Sequence, residues 1–139
     1  MIKEAYVSFE LVKLLKEKGF NEATNRYYNA QYDEIRTVSD TFMTYWNNEE
    51  HMKVLMMEGA LAIPTHQLAM AWLREVYNVF IYVEPFITTN GLQGYKPYCT
   101  KIGGEFMWIN PLRKYSNTSS DTYYEAVEAA LKYSLENLI

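Results

Sequence analysis

The sequence predicts an α+β fold, a single domain over residues 1–139 with three or more helices packed on a small antiparallel meander. Three observations carry that expectation. A helical apolar period near the N-terminus stops at Gly19-Phe20. β-Branched and aromatic residues alternate from Val79 and return after turn-forming glycines. A capping box at Thr122 opens a strongly periodic C-terminal stretch. With 139 residues, 49 per cent of them apolar, the chain can bury one core and is too short for two ordinary domains.

The first helix is expected from Ser8 to Lys18. Ser8 is a good N-cap, Phe9, Leu11, Val12, Leu14 and Leu15 supply a broad apolar face, and Lys16 and Lys18 suit the negative end of the helix dipole. Gly19 at C′ puts Phe20 at C″, within reach of Leu15, the contact that accompanies a Schellman ending. Between Asn21 and Ile63 the periodicity is weak. Arg26-Tyr27-Tyr28 is compatible with a short strand, and Asp40–Trp46 and Glu49–Met57 are weakly helical. Met43, Met52, Met56 and Met57 cluster there, and flexible thioethers serve either as packing filler or as an adaptable contact surface.

Ile63-Pro64-Thr65 opens the second helix, with Thr65 as N-cap and Leu68, Trp72, Leu73 and Val76 as its buried stripe. Asn78 is a left-handed terminator that hands the chain directly to a strand at Val79–Val83. A loop containing Asn90-Gly91 leads to a second strand at Tyr95–Ile102, and Gly103-Gly104 turns the chain into a third at Glu105–Ile109. Pro97 cannot donate a ladder hydrogen bond, so an irregular or unpaired section is expected beside it. Pro111–Ser120 is a polar connector. Thr122-Tyr123-Tyr124-Glu125 then caps the last helix, whose stripe is Tyr123, Val127, Ala130, Leu131, Ser134 and Leu138, with Glu128 and Lys132 paired on the solvated face.

Composition excludes several functions. The net charge of −4 gives no general basic field for a nucleic-acid polymer or an anionic membrane. The longest wholly apolar run, Leu68–Leu73, is six residues, against roughly 18 for a membrane span, and no secretory h-region follows Lys3. Cys99 is the one cysteine, which excludes an intramolecular disulfide and a four-cysteine zinc site and fits a cytoplasmic setting. His51 and His66, 15 residues apart, belong to no H-E-x-x-H or H-x-E motif, and no glycine-rich phosphate loop precedes a helix. No catalytic set, metal site or cofactor is expected.

The stretch Ile63-Pro64-Thr65-His66-Gln67-Leu68-Ala69-Met70-Ala71-Trp72-Leu73-Arg74-Glu75-Val76-Tyr77-Asn78 and the ending from Thr122 to Ile139, with the opening Tyr6-Val7-Ser8-Phe9-Glu10, resemble a family of small uncharacterised proteins common in phages and prophages of gut Bacteroidales bacteria. The resemblance implies a phage origin and a host-cytoplasmic setting, without an activity or catalytic residues. In that family the helix opening tends to read Pro-Thr-Gln, so His66 stands where a glutamine is usual. Small accessory phage proteins often act stoichiometrically on host machinery, some by sequestering nucleotide immune signals, and that analogy sets the functional expectation.

Candidate binding residues fall in two places. From Val79 to Lys114 four cations (Lys96, Lys101, Arg113, Lys114) stand against Glu84 and Glu105, the one locally basic stretch of an acidic chain. It is interleaved with Phe80, Tyr82, Phe86, Tyr95, Tyr98, Phe106 and Trp108, the ingredients for stacking a base and meeting a phosphate. The same pattern also suits aromatics packed on helices beside lysines that keep an edge strand soluble. At the second helix, Thr65, His66 and Gln67 surround unpaired backbone N–H groups, with Arg74 further along as a clamp or as a surface ion-pair partner. The expected ligand set is therefore Thr65, His66, Arg74, Tyr98, Lys101, Trp108 and Arg113, for a small anionic nucleotide-like ligand. The alternative is a protein-interaction module, homo-oligomeric or directed at a host effector, using the Met- and Tyr-rich surface between Phe42 and Met57. The third class is a small hydrolase built on Cys99 with His66 or on His51 beside Glu49 and Glu50, which spacing alone does not support.

Overall fold

The computed structural model describes residues 2–103, 108–109 and 120–139, and the fold is α+β. The expected strand at Glu105–Ile109, the turn at Gly104 and the connector from Pro111 fall largely outside the described residues. The chain forms two compact units, Met1–Thr65 and His66–Ile139.

In the first unit α1 (Phe9–Glu17) carries Leu11, Val12 and Leu15 inward. Its ending is the Schellman motif that Gly19 and Phe20 predict: Phe20 N–H donates to Leu15 O at 2.9 Å and Gly19 N–H to Lys16 O at 3.1 Å, with Gly19 at φ +92°. Ser8 holds the N-cap position with extended backbone but makes no side-chain cap bond. Strands β1 (Arg26–Asn29), β2 (Glu34–Thr37) and β3 (Leu61–Ile63) form an antiparallel sheet in the order β2-β1-β3.

The sequence signals only β1 of these three. β2 is exposed at all four positions, so it has no apolar alternation to read, and β3 is only three residues long. A 3-10 turn at Asp40–Phe42 replaces the longer helix expected there, and the next helix, α2 (Glu49–Val54), is shorter than expected. α2 also ends in Schellman geometry, Met57 N–H to Met52 O at 2.8 Å and Met56 N–H to Lys53 O at 3.1 Å. Here Met56 occupies the left-handed position at φ +57°. Asn47 ties the unit together: its amide donates to Phe20 O at 2.7 Å, and its Oδ1 accepts from Ala62 N–H at 2.9 Å.

In the second unit α3 (His66–Tyr77) ends at Asn78, at φ +57° as expected, and β4 (Val79–Thr88) begins at once. The buried face of α3 is His66, Ala69, Trp72 and Leu73, whereas Val76, expected in the stripe, is exposed. β5 (Gly91–Ile102) returns antiparallel to β4, and β6 (Trp108–Ile109) pairs with Lys101 and Ile102, giving the order β4-β5-β6. Both long strands exceed the expected lengths, since their outer halves are exposed and lack the apolar alternation that marks a strand. α4 (Tyr123–Asn137) starts with the expected capping bond from Glu125 N–H to Thr122 Oγ1 at 3.1 Å and buries Ala126, Val127, Ala130, Leu131, Ser134 and Leu135. α3 and α4 both pack on the β4–β5 hairpin.

The hairpin stays in register through Pro97, which faces Val83, and its register shift lies instead between Phe86 and Ile87. The reason is orientation. Tyr95 exchanges backbone bonds with Ser120 at 2.9 and 2.8 Å, so Tyr95 and, by alternation, Pro97 and Cys99 turn their backbone polar groups away from β4. Their partners Pro85, Val83 and Ile81 turn away from β5 in the same manner. Neither proline removes a bond from the ladder between β4 and β5.

Candidate functional site

The expected ligand residues do not converge. Thr65 precedes α3 and forms an antiparallel backbone bridge with Tyr6 in the first unit, while the other six belong to the second. His66 is buried, 5% exposed, and its Nε2 lies 2.8 Å from Glu128 Oε1. An ionised carboxylate only accepts, so Nε2 carries the proton, and the buried Nδ1 has no hydrogen-bond partner. Glu128, expected on the solvated face of α4, thus turns partly inward. Lys101 Nζ donates to Leu138 O at 2.8 Å at the end of α4 and so fastens that helix to the sheet.

Tyr98 stacks on its cross-strand partner Tyr82, with centroids 4.9 Å apart and an interplanar angle of 9°. Burial first, then a hydrogen bond to the Glu84 carboxylate, holds the Tyr98 phenol above its ordinary pKa. Arg74 is exposed on α3 and bonds Glu75 at 3.2 Å. Trp108 is placed by its backbone alone, opposite Ile102, and Arg113 lies outside the described residues.

Of the residues named for hydrolase chemistry, Cys99 and His66 are both buried, but His66 Nε2 meets Glu128 and its Nδ1 has no hydrogen-bond partner, so neither ring nitrogen bonds the Cys99 thiol. Cys99 is fully buried, and burial pushes its thiol up to about 11, with the Ser134 hydroxyl pulling weakly the other way. Such a thiol is a packed small hydrophobe rather than a ready nucleophile at neutral pH. His51 is exposed on α2, and no cluster of three or more His, Cys, Asp or Glu side chains suited to a metal occurs among the described residues. No helix among the described residues is long and apolar enough to cross a membrane.

A groove of about 540 Å³ lies in the first unit. It holds Arg26, on the central strand β1. The cross-strand neighbours of Arg26 are Thr37 on β2 and Ile63 on β3. Arg26 Nε donates to Thr37 Oγ1 at 3.0 Å, and the guanidinium lies 3.7 Å from the centroid of the Tyr6 ring. Tyr6 is itself fixed by a hydrogen bond from its phenol to Asn25 Oδ1 at 3.1 Å. Phe9, packed edge-on against Tyr28 at 5.0 Å, lines the apolar wall with Ile35 and Ile63, and Lys3 and Glu4 stand at the mouth.

Among the described residues Arg26 has no carboxylate partner, so a half-buried cation keeps its terminal N–H donors for something else. Sequence reasoning missed this groove because its parts come from an N-terminal segment, a helix and three short strands, of which one strand was signalled. The one available cue was an arginine inside the Arg26-Tyr27-Tyr28 run.

A smaller cleft, about 290 Å³, lies in the second unit, lined by Gln67, Met70 and Arg74 of α3, Phe80 to Val83 of β4 and Tyr123 of α4. No protein-family model, curated protein or solved structure matches the chain.

Proposed function

We propose that the protein is a phage accessory factor that acts by stoichiometric binding in the host cytoplasm, sequestering a small anion with an aromatic or apolar body, of which nucleotide-like immune signals are the specific class. The phage setting rests on the sequence resemblance. The binding reading rests on Arg26: a guanidinium laid over Tyr6 at 3.7 Å, inside a groove of about 540 Å³, with no carboxylate partner among the described residues. Charges removed from water are normally paired, and an arginine held flat by a ring presents its donors in a fork that suits a phosphate or carboxylate. Phe9 and Tyr6 offer aromatic faces beside it, and Lys3 adds a second positive charge against Glu4. The volume falls within the range of small-molecule sites, roughly 300–1,000 Å³.

Calorimetric titration with cyclic dinucleotides, linear dinucleotides and ADP-ribose derivatives tests the proposal. Binding of at least one class, lost in Arg26→Gln and with the ligand recovered chemically unchanged after denaturation, supports it. Absence of binding to all of them at high micromolar concentration removes the ligand class, and recovery of a cleaved ligand replaces sequestration with hydrolysis.

A protein-interaction role is favoured by a separate observation. Phe42, Met43, Tyr45, Val54, Leu55 and Met56 are all exposed, and Met56, 80% exposed, sits at a left-handed backbone position that glycine would fill with less strain. A strained residue with an exposed apolar side chain points to selection for contact rather than for stability. Sedimentation of the wild type against a Val54→Lys, Met56→Lys variant distinguishes self-association through this surface from a monomer.

A further inference from the structure

We propose that the open edge of β4 is a docking slot for an extended segment of a partner protein that carries an acidic residue, bound as an added strand beside α3. β4 is the outer strand in the order β4-β5-β6, and no other strand pairs with it among the described residues. The backbone bond from Ile102 N–H to Asn78 O and the outward turn of Tyr95 fix which groups are free. Val79, Ile81 and Val83 direct their N–H and C=O away from β5.

The cleft of about 290 Å³ is lined by four consecutive residues of this strand, Phe80 to Val83. Successive side chains on a strand point to opposite faces, so a space that meets all four runs along the edge rather than over one face. Facing it are Gln67, Met70 and Arg74, spaced i, i+3 and i+7 on one side of α3, and Tyr123 at the start of α4 completes the lining. A strand edge facing a helix wall across this cleft leaves room for one extended chain, whose main chain would pair with Ile81 and Val83.

Arg74 is the charged member of that lining. Its pairing with Glu75 is between exposed side chains, 46% and 73% accessible, and so yields readily to a better-placed carboxylate. Charge complementarity therefore selects an acidic segment. Pro85, whose nitrogen lies on the same open side, ends the pairing edge beyond Val83. This site is in the second unit and does not depend on the Arg26 groove.

The probe is an acetylated Thr-Val-Thr-Val-Asp-Glu peptide, with a second version N-methylated at alternate residues and a third ending in Lys-Lys. Amide exchange followed by NMR is the readout. The expected result is protection of the Ile81 and Val83 amides by the first peptide and none by the N-methylated one. Binding should weaken about tenfold for the Lys-Lys peptide and for Arg74→Glu, the loss of one charge-assisted contact. Ile81→Pro removes an outward N–H without touching the β4–β5 ladder and should abolish protection of Val83, while Arg26→Gln should leave the binding unchanged. The proposal is overturned if the acidic peptide at millimolar concentration protects neither amide, or if the N-methylated peptide binds equally. It is also overturned if both amides are already protected without peptide in a concentration-dependent way, which assigns the edge to a second copy of the chain.

Discussion

His66 and Glu128, on two different helices of the second unit, meet at 2.8 Å between Nε2 and Oε1. The contact fixes the tautomer of a 5% exposed imidazole and leaves its other nitrogen buried without a partner. Replacing Glu128 with Ala strips the remaining partner, so both ring nitrogens face desolvation. The expected cost is about 1–3 kcal/mol in urea unfolding. Glu128→Gln keeps an acceptor oxygen within reach and should recover most of it. Equal losses in the two variants would show that the hydrogen bond does not hold α3 to α4.

The two Schellman endings differ at the residue that needs positive φ, Gly19 at +92° and Met56 at +57°. A side chain in the left-handed region costs roughly 1–2 kcal/mol, partly offset by the greater freedom glycine has when unfolded. Met56→Gly should therefore raise stability by a few tenths to about 1 kcal/mol, and Gly19→Ala should lower it by about 1 kcal/mol. Thermal melts of both variants check the pair, and opposite signs are the expected outcome.

Arg26→Lys tests whether flat stacking or charge alone makes the groove. Lysine keeps the positive charge but lacks the planar fork that lies over Tyr6 and reaches Thr37. The expected outcome is a loss of anion affinity approaching that of Arg26→Gln, read by calorimetry. Full affinity in the lysine variant would reduce the site to a point charge.

Cys99 supplies a pH dependence. Its thiol pKa is raised from 9.0 to about 11 by burial, so in the unfolded chain it ionises first. The unfolded state then binds fewer protons than the folded one, and stability falls as pH rises from about 9 towards 11, with no contribution at neutral pH. Cys99→Ala should flatten that alkaline decline. Labelling by a thiol reagent at pH 8 should proceed at the rate of unfolding, and fast labelling of the folded protein would contradict the burial.

Much of the second unit is legible in the residues because its signals are local. The Thr122 cap, Asn78 as terminator and the alternation after Val79 each act within a few residues. The first unit is legible only at α1, where Gly19 and Phe20 encode the stop. Its sheet depends on β2, which buries nothing, and on β3, which is too short for any period. The candidate residues divide by the same rule. Lys101 and His66 are a cation and an imidazole in the sequence, yet their partners, Leu138 O and Glu128, lie far along the chain and take up their polar atoms. Arg26 reaches Tyr6 only through tertiary packing, and so the groove has no sequence pattern.

Pro85 gives the open strand one more property. A free edge that accepts a neighbour will in principle accept copies without end, each new strand offering a fresh edge, which is how cross-β fibrils grow. At Pro85 the side that faces the newcomer has no N–H to give, and on the other flank the chain before Val79 has already coiled into α3. A long in-register stack of this hairpin is thereby blocked at both ends, so the protein can leave a strand edge uncovered at high concentration without seeding its own precipitation.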